Sequence, residues 1–542
     1  MQRRRWIILG VLVISLLVVV LDNTVLNVAL KVIADPKAGL GATQGELQWA
    51  INSYTLVFAG LLFTSGVLGD RLGRKRLLII GMIVFGLGSL FSAYAQDPGQ
   101  LIAARAVMGL GGAVVMPQTL SIISNVFTPA ERPRAIGIWA GAVGLGIAIG
   151  PTLGGLLLDH FWWGSVFLIN VPVVIIGVTA MAVFAPESRD PKPGRLDPLG
   201  VLGSILGLVL LTYGIISGGQ AGSWADPKVL GTIAAGIVVI GAFIFWESRI
   251  DHPSLDVRLF RNPRMSAAVG LIALTFFALS GVVFFLTFYL QSVRGYTPFQ
   301  AGLLVIPLAF AQLIFSPRSA GLVRRFGPKA VSVGGLLLVA LALSTYGWLI
   351  TATIPIWVVC VVGFVQGTGM AVVMPAATES IMSTLPRERA GAGSAVQNTA
   401  RQTAIALGVA VVGSIVSTVY RGHIEGSLTA LPSGLRHAAG ESIESTMAVV
   451  AKLGPAGARL IDPAKESFMS AMHVAGYLAG GFALLGLLVA ALWLPGRSAS
   501  ERTSDTTDPA DIPPERAMAG VAESAPVAEG ARDAAYASGR HE

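Results

Sequence analysis

Four charged residues, Asp22, Arg105, Glu379 and Arg401, fall well inside long runs of apolar residues. A charge in such surroundings costs roughly 2.5–3.5 kcal/mol or more, so residues of this kind pair with one another or serve a function. With a rise of about 1.5 Å per residue, Asp22 lies about 24 Å along a helix that starts at residue 6. Arg105 lies about 9 Å along one that starts near residue 99. If the two helices run in opposite directions, both charges fall in the same half of a layer roughly 30 Å thick and can meet. A carboxylate beside a guanidinium stays ionised, whereas one drawn away from it in dry surroundings takes up a proton. A change of shape that separates the pair would therefore move a proton. A permanent structural ion pair is the competing reading.

A second polar set lies on one late run: Gln397, Asn398, Arg401 and Gln402, with Ser394 one turn earlier. Spacings of three and four put them on one helix face, which either lines a cavity or hydrogen-bonds a neighbouring helix. Asn27, Asn52 and Gln118 are further lining candidates. Glu379 lies only about 6 Å from the end of its run and reads as an interfacial acid. Two deep acids against two deep arginines make a roughly neutral cavity. It suits lipophilic aromatic compounds that are neutral, weakly charged or partly anionic better than dications. Metal chemistry is not expected, because Cys360 is the single cysteine and the six histidines are scattered over loops, run ends and the tail.

The elements that must hold these groups follow from composition. Of 542 residues, 54% are hydrophobic and 13% charged, about half the charge of a soluble domain, and mean hydropathy is +0.71. Fourteen apolar runs, the first at 6–32 and the last at 469–494, each have the roughly 20 residues that a spanning helix needs. The first passes straight into Leu21-Asp22-Asn23 with no cleavage site after it, and so belongs to the mature chain. Of the Lys and Arg residues in the connecting gaps, 22 fall on one side and four in the short gaps on the other. The basic side is cytoplasmic, which puts both termini inside. The net charge of +8 is thus a topology signal and implies no nucleic acid. Ala-, Gly- and Val-rich composition suggests a bacterial chain in the cytoplasmic membrane. Residues 420–468 are expected to form a long outer loop, mildly amphipathic near 443–453, and 495–542 a disordered cytoplasmic tail.

An internal repeat organises the runs. Gly109-x-Gly111-x-Ala113-Val-Val-Met-Pro117 recurs 258 residues later as Gly367-x-Gly369-x-Ala371-Val-Val-Met-Pro375. Pro129-Ala-Glu-Arg132 recurs as Pro386-Arg-Glu-Arg389, and Asp70-Arg-Leu-Gly73-Arg-Lys75 as Arg324-Arg-Phe-Gly327-Pro-Lys329. The offsets superimpose runs 1–6 on runs 9–14. The expected fold is therefore all-α: fourteen transmembrane helices in two pseudo-symmetric six-helix bundles, 1–185 and 265–494, with two inserted helices in 186–264. This 6+2+6 plan places a binding site between the halves near the midplane.

Two motifs carry a resemblance. Gly66-Val-Leu-Gly-Asp70-Arg71-Leu-Gly73-Arg74-Lys75 needs its glycine for a tight turn and its cations as a cytoplasmic anchor, and could be no more than a basic loop. It resembles the signature loop of the major facilitator superfamily, where such a loop latches the two halves on the cytoplasmic side. Gly146-x-x-x-Gly150-Pro151-x-x-Gly154-Gly155 makes a flat face for close helix packing. It is similar to the motif that marks antiporters in that superfamily. With the Asp22 and Arg105 segments and fourteen spans, the chain resembles the drug:proton antiporter branch of EmrB/QacA type. The resemblance implies no cofactor other than the proton-motive force, with small lipophilic substrates, protons and membrane lipid as partners, and a functional monomer. It departs from the pattern in two places: the second loop has no acid matching Asp70, and Asn125 stands where some relatives have Asp.

The resemblance implies proton-driven efflux of lipophilic drugs or antibiotics by alternating access, conferring resistance or exporting a secondary metabolite. An ATP-driven pump would need a Gly-Lys-Ser/Thr phosphate loop, and no Gly-Lys dipeptide occurs. An enzyme is not expected. A proton symporter importing a metabolite is disfavoured by Gly150-Pro151, and a non-transporting sensor by the polar faces in both halves.

Overall fold

Apolar segments that leave water must satisfy their backbone internally, and helices do so. The computed structural model describes residues 2–128, 131–189, 197–221, 224–251, 253, 255, 257–384 and 390–494, and every element of regular structure among them is helical. The first half holds α1 (Gln2–Ala34), α2 (Gln44–Leu72), α3 (Arg74–Ala93), α4 (Pro98–Val126), α5 (Arg132–His160), the short α6 (Ser165–Leu168) and α7 (Asn170–Phe184). Then come α8 (Pro198–Ala221) and α9 (Pro227–Glu247). The second half holds α10 (Pro263–Phe288), α11 (Pro298–Leu303), α12 (Ile306–Leu349), α13 (Ile356–Met382), α14 (Ala390–Ile424), α15 (Ser433–Ala439), α16 (Ile443–Leu453) and α17 (Ile461–Trp493). Met1–Leu494 forms one compact unit. The tail 495–542, Pro129, the segment 385–389 and the Asp70 side chain lie outside the described residues.

Twelve stretches among the described residues are long and apolar enough to cross a membrane. Two of the fourteen expected spans, α2 and α5, are helices of 29 residues each that are not among the twelve. Gln44, Glu46, Gln48 and Asn52 lower the hydropathy of α2, α5 is rich in glycine, and many α5 side chains lie outside the described residues. Inner and outer are used for the sides that the basic-residue count assigns.

The repeat reappears as packing. A Cβ on Gly109 would strike Tyr54 O, and one on Gly367 would strike Leu308 O, 254 residues on from Tyr54. Gly111 lies against Gly81 and Phe85, and Gly369 against Gly335 and Val339, again shifted by 254. The two loops match as well: Gly73 has φ 106° and Gly327 φ 80°, conformations an L side chain adopts only at a cost. Gly327 breaks α12 in two at the place where Gly73 separates α2 from α3.

Helix α1 packs on α5, α2 on α4, α10 on α14 and α17, and α12 on α13 and α17. The halves meet where α2 lies on α14 and α5 lies on α11 and α12, and α8 packs on α9, α14 and α2. The segment 420–468, expected as an outer loop, is helical in large part, and its amphipathic stretch is α16. Tyr420 at the end of α14 hydrogen-bonds Thr446 of α16 at 2.6 Å, and Ile443, Thr446 and Val449 turn inward, so α16 is held by its apolar stripe.

Candidate functional site

Asp22 of α1 and Arg105 of α4 form a buried ion pair, 2% and 1% exposed. Arg105 Nε donates to Ala50 O of α2 at 3.1 Å, and the guanidinium carbon lies 4.4 Å from the centre of the Tyr54 ring. The second oxygen of Asp22 accepts from Asn170 Nδ2 of α7 at 3.3 Å, and the same amide reaches Ser89 Oγ of α3 at 3.0 Å. Two helices, α4 and α7, thus bond the carboxylate of α1, and α2 and α3 hold the residues that do so. In so dry a place each charge depends on the other, and removing one partner leaves a cost of about 3–5 kcal/mol.

Next to this cluster is a central cavity of about 460 Å³ between the halves. The first half contributes Asn23, Thr24, Asn27 and Thr55, and the second Gln291, Gln312, Gln366, Arg401 and Gln402, among apolar walls. Asn23 joins cavity to cluster, because its Nδ2 donates to Tyr54 Oη at 3.1 Å, and Tyr54 lies under Arg105. The neighbours Asp22 and Asn23, about 100° apart around α1, therefore project from adjacent faces, one at the charge pair and one at the cavity.

Several bonds close the halves on the outer side. Lys31 Nζ donates to Gln291 O, Gln291 Nε2 donates to Val28 O at 2.9 Å, and Thr297 Oγ1 donates to Asp159 at 3.0 Å. Ser292 Oγ donates to Glu444 of α16 at 2.9 Å, which ties the outer segment into the same seam. In the α5 motif, Gly146, Gly150 and Gly154 lie on α1 at Val20, Thr24 and Val25, whereas Gly155 lies on Phe299 of α11 and Pro151 O on Gly302. Helix α5 is thus wedged between the α1 helix of its own half and the facing half.

On the inner side the loop after α2 docks on the end of α7. Lys75 N and Arg76 N donate to Glu187 at 3.1 and 3.3 Å, Arg74 N donates to Ser188 O at 3.0 Å, and Lys75 Nζ donates to Ala182 O at 2.7 Å. A Cβ on Gly73 would stand 2.7 Å from Glu187 Oε1. Gly73→Ala is expected to lower stability by about 1–3 kcal/mol, the cost of holding an L residue in a sparsely populated positive-φ conformation, measured as a thermal shift of the purified protein. Adding Glu187→Ala should relieve the crowding but leave the backbone cost.

Asn27 and Arg401 of the expected lining face the cavity. Asn52, Gln118, Gln397 and Asn398 are not among its lining residues. Asn52 is fully buried with neither amide atom bonded, on the α2 face that also carries Gln48, which meets Gly413 of α14. Gln118 donates to Ser65 O and Gln397 to Thr378 Oγ1, so both join helices of their own half. Glu379 is exposed, as an interfacial acid would be. Sequence reasoning missed Asn170, Tyr54 and Glu187. Asn170 alone had a signal, a single amide in the apolar run Leu168-Ile169-Asn170-Val171.

Residues 12–409 match the model of the Major Facilitator Superfamily. The chain is 35% identical over 500 residues to the multidrug efflux pump LfrA of Mycolicibacterium smegmatis, across 90% of this chain and 95% of that protein. It is 33% identical to the tetracenomycin C resistance and export protein of Streptomyces glaucescens, across 90% and 92% of the two chains. It is also 33% identical to the methyl viologen resistance protein SmvA of Salmonella typhimurium, across 92% and 100%. Among solved structures, a bacterial homolog of the human lysosomal transporter Spinster superimposes with a TM-score of 0.62 at 18% identity, across 90% and 98% of the two chains.

Proposed function

The chain belongs to the Major Facilitator Superfamily, and from that premise we propose that it exports drugs or antibiotics across the bacterial cytoplasmic membrane in exchange for protons. Fourteen spans in a 6+2+6 order with both termini inside, working as a monomer, complete the proposal. The likeness to named efflux and resistance proteins over nine-tenths of the chain supports the export of lipophilic compounds. Proton coupling is supported by one arrangement: the Asp22–Arg105 pair is sealed from the cavity yet linked to it through Asn23 and Tyr54.

Alternating access would work as follows. Carrying substrate outward shifts α1 through Asn23 and parts Asp22 from Arg105, and once the cavity faces outward the isolated carboxylate accepts a proton from that side as substrate leaves. When the empty cavity turns inward the pair re-forms and releases the proton inside. Each proton entering supplies roughly 2.3 kcal/mol per 100 mV of membrane potential.

Purified protein in vesicles with an imposed pH gradient tests this. Export of tetracenomycin C or a lipophilic dye, with matching proton entry, is the expected result. Proton-linked accumulation in the opposite sense would make the chain a symporter, and the absence of flux for any of them would remove the transport assignment.

A further inference from the structure

The central cavity has one feature that proton-coupled export does not require. Among its described lining residues Arg401 is the only charged one. Its Nε is buried without a hydrogen-bond partner, and none of the ion pairs among the described residues includes it. The acids that could neutralise it are engaged or remote: Asp22 is spent on Arg105, and Glu379 is exposed and outside the cavity lining. The guanidinium carbon lies 5.6 Å from the centre of the Phe276 ring, also in the cavity wall. The buried amides of Gln366 and Gln402 share that wall.

Arg401 is half-buried with its Nε wholly enclosed; a cation so placed without a counter-ion is costly, and a fixed planar fork beside an aromatic face is a receptor for carboxylates and similar planar anions. The remaining wall is apolar and admits an aromatic body. We propose that Arg401 and Phe276 form an anion-reading subsite, which makes the preferred substrates aromatic compounds bearing a carboxylate, phenolate or enolised acid group. The subsite rests on the export reading and narrows it. It replaces the neutral cavity expected from sequence, because Arg105 is balanced by Asp22 outside the cavity and no acid among the described lining residues balances Arg401. An anion leaving and a proton entering both move charge down an inside-negative potential, so such a substrate is the one this energy source exports best.

Two xanthene dyes of similar ring and opposite charge serve as probes: fluorescein, an anion at pH 7.5, and rhodamine 6G, a cation. Binding to the purified full-length protein is followed by fluorescence polarisation, and export from vesicles by the imposed pH gradient. The wild type should bind fluorescein about tenfold or more tightly than rhodamine 6G, the worth of one or two hydrogen bonds to a charged group. Arg401→Gln should erase that preference, weakening fluorescein about tenfold and tightening rhodamine 6G, whose charge the guanidinium repels. Arg401→Lys should restore part of it, since charge remains while the fork is lost. Equal binding of both dyes by the wild type, or an unaltered preference in Arg401→Gln, overturns the subsite. If Arg401→Gln does not fold, the wild-type preference and its reduction in Arg401→Lys decide. Arg401-dependent binding without gradient-driven export overturns the export reading and leaves the subsite standing. Export without charge preference does the reverse.

Discussion

Asp22→Asn is expected to reduce pH-gradient-driven export about a hundredfold or more, the scale of losing a positioned proton-transfer group. Dye binding should stay within about twofold, because residue 22 is not part of the cavity wall. Asn has nearly the shape of Asp, but its single oxygen can accept from Arg105 or from Asn170 and cannot replace both carboxylate oxygens, and it carries no exchangeable charge. Energy-independent exchange of labelled for unlabelled substrate should therefore continue, since that half-reaction needs no proton. The substitution leaves the Arg105 charge uncompensated, at a cost of about 3–5 kcal/mol, so a lowered melting temperature is expected. Asp22→Glu provides the control, keeping a protonatable group in a displaced position with partial coupling. Export by Asp22→Asn at a tenth of the wild-type rate or more would return the pair to a purely structural role.

The pair was legible because charge in an apolar run is rare and helical rise alone sets its depth; the depths of Asp22 and Arg105 agree, and the two meet. The repeat was legible because backbone contacts such as those of Gly109 and Gly367 admit no side chain. What surrounds the pair was not. Tyr54 and Asn170 are neutral, cost far less in an apolar run, and do not stand out among many similar residues. Asn52 shows a further limit: its polarity was visible, but the side of α2 that faces the cavity depends on where α1 and α14 pack, and spacing within one helix does not contain that. Ile51 and Thr55, on the neighbouring face, line the cavity instead. The outer segment was read as a loop because α16 is only 11 residues long, too short to hold by itself. It is held by Tyr420 and by Glu444 on Ser292.

The second large effect is expected on α5, where two glycines of one motif should respond differently. A Cβ on Gly155 would come under 3.0 Å from the Phe299 Cα and from Pro298 O, backbone atoms of the opposite half that cannot turn aside. A Cβ on Gly150 would collide with Thr24 Oγ1, a side-chain atom in the same half. Gly155→Val should therefore hold the outer seam open and stop export, with a normal amount of folded protein in the membrane and raised labelling of a cysteine placed at Gln291. Gly150→Val should cost about 1–3 kcal/mol of overpacking, and Thr24→Ala, which removes Oγ1 but keeps the Cβ at 2.8 Å, should recover part of that together with export. The contrast follows from the position of α5: the face toward α1 stays packed through the cycle, whereas the face toward α11 must part and close again. Rescue of Gly155→Val by a distant change, or equal loss at both glycines despite Thr24→Ala, would mean that α5 moves as part of neither half and that the outer seam lies elsewhere.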